Sequence, residues 1–217
     1  MNGLWAKWRQ VLGPFAVEDA VAERVFADLV LCYGEDGRFY HNLSHIQNVL
    51  QVVDSLQACV GDYTAVQLAA WFHDVVYHMQ LGAGQPSNEQ QSAAYAAQTL
   101  ATLHVPAAAI DLVQQLICAT QLNAVAPDDP NFHVLLDADL ATLAAAEAVY
   151  DQYAGAIRQE YGFVPDEAYR NGRAQVLQSF LDRERIFRTD VMYAQCEEAA
   201  RQNIQREMKQ LLAGSEP

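Results

Sequence analysis

The sequence predicts an all-α fold, and three observations carry that expectation. Apolar residues recur at helical spacing almost everywhere, and valine, isoleucine and threonine never alternate with polar residues over the length of a strand. The breaks between periodic stretches fall at turn-forming clusters such as Gly34-Glu35-Asp36-Gly37 and Gly61-Asp62. With 217 residues, 52% of them hydrophobic and 10% aromatic, there is ample material for one compact helical-bundle domain. No repeat, low-complexity tract or glycine- and proline-rich linker divides the chain.

Taken in order, residues 3–11 and 17–33 read as helices that form an N-terminal extension (1–35) to the domain. A helix from about 41 to 59 carries Leu43, Ile46, Val49, Leu50, Val53 and Leu56 on one face. Residues 63–78 form a nearly all-apolar helix, expected to be buried on most sides. The stretch 81–87 is a loop, helices follow at about 88–103 and 106–121, with Pro106 in a first turn, and 123–131 is a second loop. Helices at about 132–144, 146–161, 166–182 and 190–213 complete the chain. The last is a packing helix with Cys196, Ala199, Ala200, Ile204, Met208, Leu211 and Leu212 as its apolar stripe.

The formal charge of -14 argues against a nucleic acid polymer or an anionic membrane surface as partner, because the overall field repels both. A small anion remains admissible, since a local cation dominates within a Debye length of about 8–10 Å. Cys32, Cys59, Cys118 and Cys196 form neither a CxxC pair nor a dense framework, and read as small buried residues of a reducing compartment. The N-terminal stretch lacks the apolar core of a signal peptide, and no apolar run of about 18 residues could span a bilayer. The expectation is a soluble, cytoplasmic protein.

Three features carry chemistry. His41 and His45 stand four apart, which on a continuous helix puts both imidazoles on one face, the geometry of paired metal ligands; the plain alternative is a solvent-facing turn. His73 and Asp74 interrupt the apolar run WFHDVV, where a buried carboxylate costs several kcal/mol unless a cation or good hydrogen bonds meet it. Asp137 and Asp139 interrupt VLLDADLATL; two residues apart on a helix they point roughly 200° away from each other, so only one can face a shared site.

The strings RFYHNLSHI, LAAWFHDVVY, SNEQQSA, LLDADLATL, YDQYAGAIRQEY and EEAARQNI, in that order over about residues 38–207, resemble the HD superfamily of metal-dependent phosphohydrolases, in particular a bacterial branch opening with YHN-x-x-H. The resemblance implies an HD-like helical domain with a divalent metal ion held by His45, His73, Asp74 and Asp139. His45 is favoured over His41 because an aliphatic, Val49, follows it four residues on; Asp139 is favoured over Asp137 by its Ala-Asp-Leu context, with Asp137 kept as the alternative. Two departures bear on substrate selection: Thr120 is followed by Gln121 where many relatives have histidine, and His78 stands where they have an acid.

A set of two imidazoles and two carboxylates suits Mn²⁺, Fe²⁺, Co²⁺, Ni²⁺, Zn²⁺ or, less readily, Mg²⁺. On this reading Asp74 ligates and orients the attacking water, His41 backs a ligand or faces substrate, and Glu89 orients a ligand histidine or carries a proton. Glu89 is equally explained as a helix-start acid favoured by the dipole. Arg38 and Arg158 are the candidates to grip a phosphate, whereas Arg183, Arg185 and Arg188 fall in a mixed-charge turn and read as solvated. Tyr40, Tyr150, Tyr153 and Tyr161 read as packing residues with a polar tip.

The expected function is hydrolysis of a small phosphate ester or nucleotide. The alternatives are an HD-fold iron oxygenase, which calls on further ligands from His78, His104 or His133, and a helical ligand-binding or interaction module without turnover, pairing through the apolar face of 190–213; a homo-oligomer is admissible.

Overall fold

The apolar spacing becomes ten α-helices, joined by short 3-10 turns and loops, in a computed structural model that describes residues 2–82, 84–122 and 124–213. Ala83 and Asn123, which fall in the two expected loops, lie outside the described residues. The fold is all-α, and its core runs without a break from α1 to α10. The helices are α1 (Asn2–Leu12), α2 (Asp19–Tyr33), α3 (Leu43–Ser55), α4 (Tyr63–Phe72), α5 (Asn88–Thr102), α6 (Ala107–Ala119), α7 (Pro130–Leu140), α8 (Glu147–Glu160), α9 (Asp166–Leu181) and α10 (Asp190–Ala213).

Helix α4 is the axis of the fold. Every residue from Ala65 to Phe72 is buried, and α1, α3, α5, α6 and α7 pack around it. Helix α3 supplies one wall with Ile46, Val49, Leu50 and Val53, each contributing roughly 1.5–3 kcal/mol by burial. That aliphatic wall can offset the several kcal/mol needed to keep an ionisable group dry beside it.

The N-terminal segment is integral to the core and does not behave as an extension. Trp8 is fully buried, packs edge-on against Trp71 and Phe72 at 5.5 and 6.0 Å between ring centroids, and donates from Nε1 to the Ala22 carbonyl. Helix α10 likewise spends its apolar face inside the molecule: Met192, Ala200 and Ile204 are buried against the 3-10 turn Ala141–Ala144 and α9. Asn203 there donates to the carbonyls of Leu143 and Ala145. Most of the apolar stripe through which the helix was expected to pair with a partner is thus spent inside the molecule, while Leu212 at its end is exposed.

Two helix ends differ from the periodicity, and both lie at the site. Helix α3 begins at Leu43, because the Asn42 side chain accepts from the Ser44 amide and caps the helix there. His41 consequently precedes the helix and shares no helical face with His45. Helix α4 ends at Phe72, several residues before the apolar run does. Side chains take the carbonyls freed at that end: Tyr33 donates to Trp71, His73 Nδ1 to Ala70, and Arg38 to both Asp74 and Val75. An apolar run gives no sign of such donors, which come from residues distant in sequence. The four cysteines are free and half-buried, where full burial was expected.

Candidate metal centre

Three helix ends converge on one point: the first turn of α3 brings His45, the C-terminal cap of α4 brings His73 with Asp74 beside it, and the last turn of α7 brings Asp139. The Nε2 atoms of His45 and His73 are 3.1 Å apart. Asp139 Oδ1 lies 3.2 Å from His45 Nε2 and 3.4 Å from His73 Nε2; Asp74 Oδ2 lies 3.5 and 3.2 Å from the same two atoms. Donor atoms bound to one ion at about 2.1 Å are separated by roughly 3.0 Å in octahedral and roughly 3.4 Å in tetrahedral arrangement, so these spacings fit a shared cation.

Protonation supports the same fit. His73 Nδ1 faces the Ala70 carbonyl at 3.0 Å, and a carbonyl can only accept, so Nδ1 carries a proton and the neutral ring presents its Nε2 lone pair to the cluster. Two imidazole nitrogens at 3.1 Å require something positive between them, a proton or a metal ion. Burial by itself would lower the His73 pKa, but Asp74 and Asp139 outweigh it and raise it well above the usual histidine range. Burial likewise opposes ionisation of Asp74, yet His73 first, and then His41 and His45, pull its carboxyl down to about 2. Two ionised carboxylates beside two imidazoles form an anionic nest that a divalent ion neutralises. His45, His73 and Asp74 by themselves already satisfy the proximity needed for a metal-binding group.

Around the nest the structure distributes the remaining expected residues. His41 stands at its edge, its Nδ1 2.6 Å from Glu160 Oε2 and its ring stacked on Tyr77 at 4.0 Å. Glu160, with its other oxygen, accepts from the Tyr40 and His41 amides at 2.7 and 2.9 Å, which fixes the turn before α3. Sequence reasoning missed both Glu160 and Tyr77; the IRQEY string held the acid, but nothing local signalled that it reaches back 119 residues to His41.

Three assignments need correction, and the alternative ligand Asp137 falls away. Arg38 does not face substrate: its guanidinium is 1% exposed and every donor is engaged, by Glu35 and by the carbonyls of His41, Asp74 and Val75. It braces the turn that presents Asp74. Arg158 caps the α8–α9 turn through Tyr161 O, Val164 O and Asp166, because its position at the end of α8 puts those acceptors closest. Glu89 sits in the first turn of α5 and orients neither histidine, since His73 Nδ1 is taken by Ala70 and His45 Nδ1 meets no partner among the described residues. Asp137 is not a ligand: it is fully buried and accepts from the Arg188 amide, the Thr189 amide and the Thr189 hydroxyl at 2.7–2.8 Å.

Two cavities meet near the nest, with Leu122 and Phe180 in the wall of both. One, of about 650 Å³, is bounded by Asp139 and by the 182–188 turn, so the arginines expected to be solvated line a cleft. The other, of about 440 Å³, holds His41 with Tyr77, Tyr153, Tyr161 and Tyr169 and is mainly apolar. His133 pairs with Asp128, His104 is exposed and His78 lies in the turn bonded to Asn88, so none of the three joins the cluster.

No protein-family model and no curated protein matches the chain. Among solved structures it is similar to Bacillus subtilis YpgQ in complex with ADP, at 20% identity and a TM-score of 0.53, over 87% of this chain and 96% of that one. The two share a fold. Among the described residues no helix is long and apolar enough to cross a membrane.

Proposed function

We propose that the chain is a metal-dependent phosphohydrolase of the HD type, acting on a small phosphate ester or nucleotide. The observation that carries this reading is the convergence of His45, His73, Asp74 and Asp139 within 3.1–3.5 Å contacts, beside one cavity bounded by Asp139 and a second that holds His41. His45, His73, Asp74 and Asp139 would hold a divalent ion, which when bound would supply Lewis acidity toward water and a phosphoryl oxygen.

The protein's own groups do the rest. Arg38 fixes the backbone on which Asp74 is carried, so that carboxylate keeps one orientation through the reaction. Glu160 accepts from His41 Nδ1, which leaves Nε2 as the ring nitrogen able to hand a proton to a leaving oxygen. The tyrosine-lined cavity beside His41 suits stacking of a nucleobase or other planar group. YpgQ, which shares the fold, binds ADP, and that supports a phosphorylated ligand here as well.

The test is metal analysis of the purified protein, followed by a screen of phosphomonoesters and nucleotides with several divalent ions. Phosphate release that vanishes in Asp74→Ala, with helical content unchanged, is the expected result. Unchanged metal content and turnover in that variant would overturn the assignment.

A further inference from the structure

We infer that Arg183 and Arg188 form a second anion-binding subsite, separate from the metal ligands, that receives one phosphate group of a substrate carrying more than one. This deepens the phosphohydrolase reading and rests on it for the substrate's identity, though the subsite itself stands on its own geometry. Both arginines line the 650 Å³ cavity whose opposite boundary includes Asp139.

Their lack of counter-charges is the first argument. Acids outnumber Lys and Arg 27 to 13 in this chain, and eight of the 13 cations reach a carboxylate; of the five that do not among the described residues, Arg24, Arg170, Lys209, Arg183 and Arg188, only the last two line the cavity that Asp139 bounds. Arg183 and Arg188 are half-buried and have no carboxylate partner among the described residues; the Arg183 guanidinium lies over the Phe180 ring at 4.6 Å. Burial, and after it the like charge of Arg188, lowers the Arg183 pKa, so the two cations repel one another across shared space. An anion between them would relieve both the desolvation and the repulsion.

Preorganisation is the other argument. The turn carrying the pair is fastened from beneath at almost every residue: Glu197 takes the Ile186 and Phe187 amides, Asp137 takes those of Arg188 and Thr189, and Arg201 donates to the carbonyls of Leu181, Arg183 and Glu184. Two buried carboxylates spent on one loop fix the backbone that carries its arginines before any ligand arrives, which cuts the ordering cost of binding. The other charges on this cavity do not cancel the pair. Asp182 and Glu184 are exposed and screened by water, Arg185 is paired with Asp190, and Asp139 belongs to the metal nest.

The experiment measures calorimetric binding of inorganic tripolyphosphate to the full-length protein with and without divalent metal, in wild type, Arg183→Gln, Arg188→Gln and Arg206→Gln. Each of the first two substitutions is expected to weaken binding about tenfold, the equivalent of one charge-assisted contact. Arg206→Gln removes the same charge from a helix away from the cavity and is expected to change nothing; Arg183→Lys, which keeps the charge, recovers part of the loss and guards against misfolding of the Gln variant. Unchanged affinity in both cavity variants, or an equal loss in Arg206→Gln, overturns the subsite. The two readings fail separately: absent hydrolysis with arginine-dependent tripolyphosphate binding removes the hydrolase and leaves the subsite, while active hydrolysis with unchanged KM and affinity in the variants does the reverse.

Discussion

Asp137 and Asp139 stand two residues apart on α7 and belong to regions of opposite chemistry. Asp137 faces the loop between α9 and α10, where two amides and a hydroxyl meet it, and its charge is dissolved in donors supplied by the protein. Asp139 faces two imidazole nitrogens and is accompanied by Asp74, with no Lys or Arg among the described residues paired to either carboxylate. Glu197 and Glu207 repeat the Asp137 pattern, held by backbone amides and Arg201 in one case and by Arg173 and Tyr150 in the other. A buried carboxylate whose donors are all on hand is structural, whereas one whose neighbours are imidazole nitrogens is a group that could hold an ion.

Substitution at the two aspartates sharpens that contrast most. Asp139→Asn is expected to lower turnover on the order of 10³-fold or more, with metal lost on dialysis, because a ligand and a negative charge leave the nest together. Metal analysis beside initial rates checks it, and retention of a full metal complement would break the comparison. Asp137→Ala, by contrast, strands three donors and is expected to cost on the order of 3 kcal/mol in urea unfolding, while the folded fraction still binds metal. Equal metal loss in both variants would mean that the two regions are not separate.

A smaller effect is expected at His41. If His41 is the proton donor proposed above, His41→Gln is expected to lower kcat roughly 10²-fold with metal content intact. Loss of metal in that variant would move His41 into the nest. Smallest in energy is the proton balance: without metal the raised His73 holds a proton that the ion must displace, so binding at neutral pH releases about one proton. Titration in buffers of different protonation enthalpy measures this, and uptake tightens as pH rises toward the raised His73 pKa, above the usual histidine range.

Much of this molecule could be read from residue order. The helices over 88–102, 147–160, 166–181 and 190–213 lie within one or two residues of their periodic stretches, because amphipathic spacing is a local property. His73, Asp74 and a carboxylate in VLLDADL were legible for another reason: a charge inside an apolar run makes no sense without a partner, so its cost is visible in the string itself, whereas His45 over His41 and Asp139 over Asp137 rested on the resemblance. The helix ends at Asn42 and Phe72 were not legible, since the former is set by one side chain competing with an unbroken pattern and the latter by donors from Tyr33 and Arg38. Nor was the work of Arg38, Arg158 or Arg188, for an arginine in sequence looks alike whether it braces a turn, caps a helix or lines a cleft.

By itself, then, the sequence determined an all-helical chain, the identity of its core faces and the residue types able to hold a metal. Tertiary structure alone decided which of Asp137 and Asp139 meets the histidines, that Glu160 grips His41 across 119 residues, and that Arg183 and Arg188 face a cavity. The reason is physical: periodicity and burial cost act along a few turns of chain, whereas the pairing of charges depends on distances between segments, which exist only once the helices have packed.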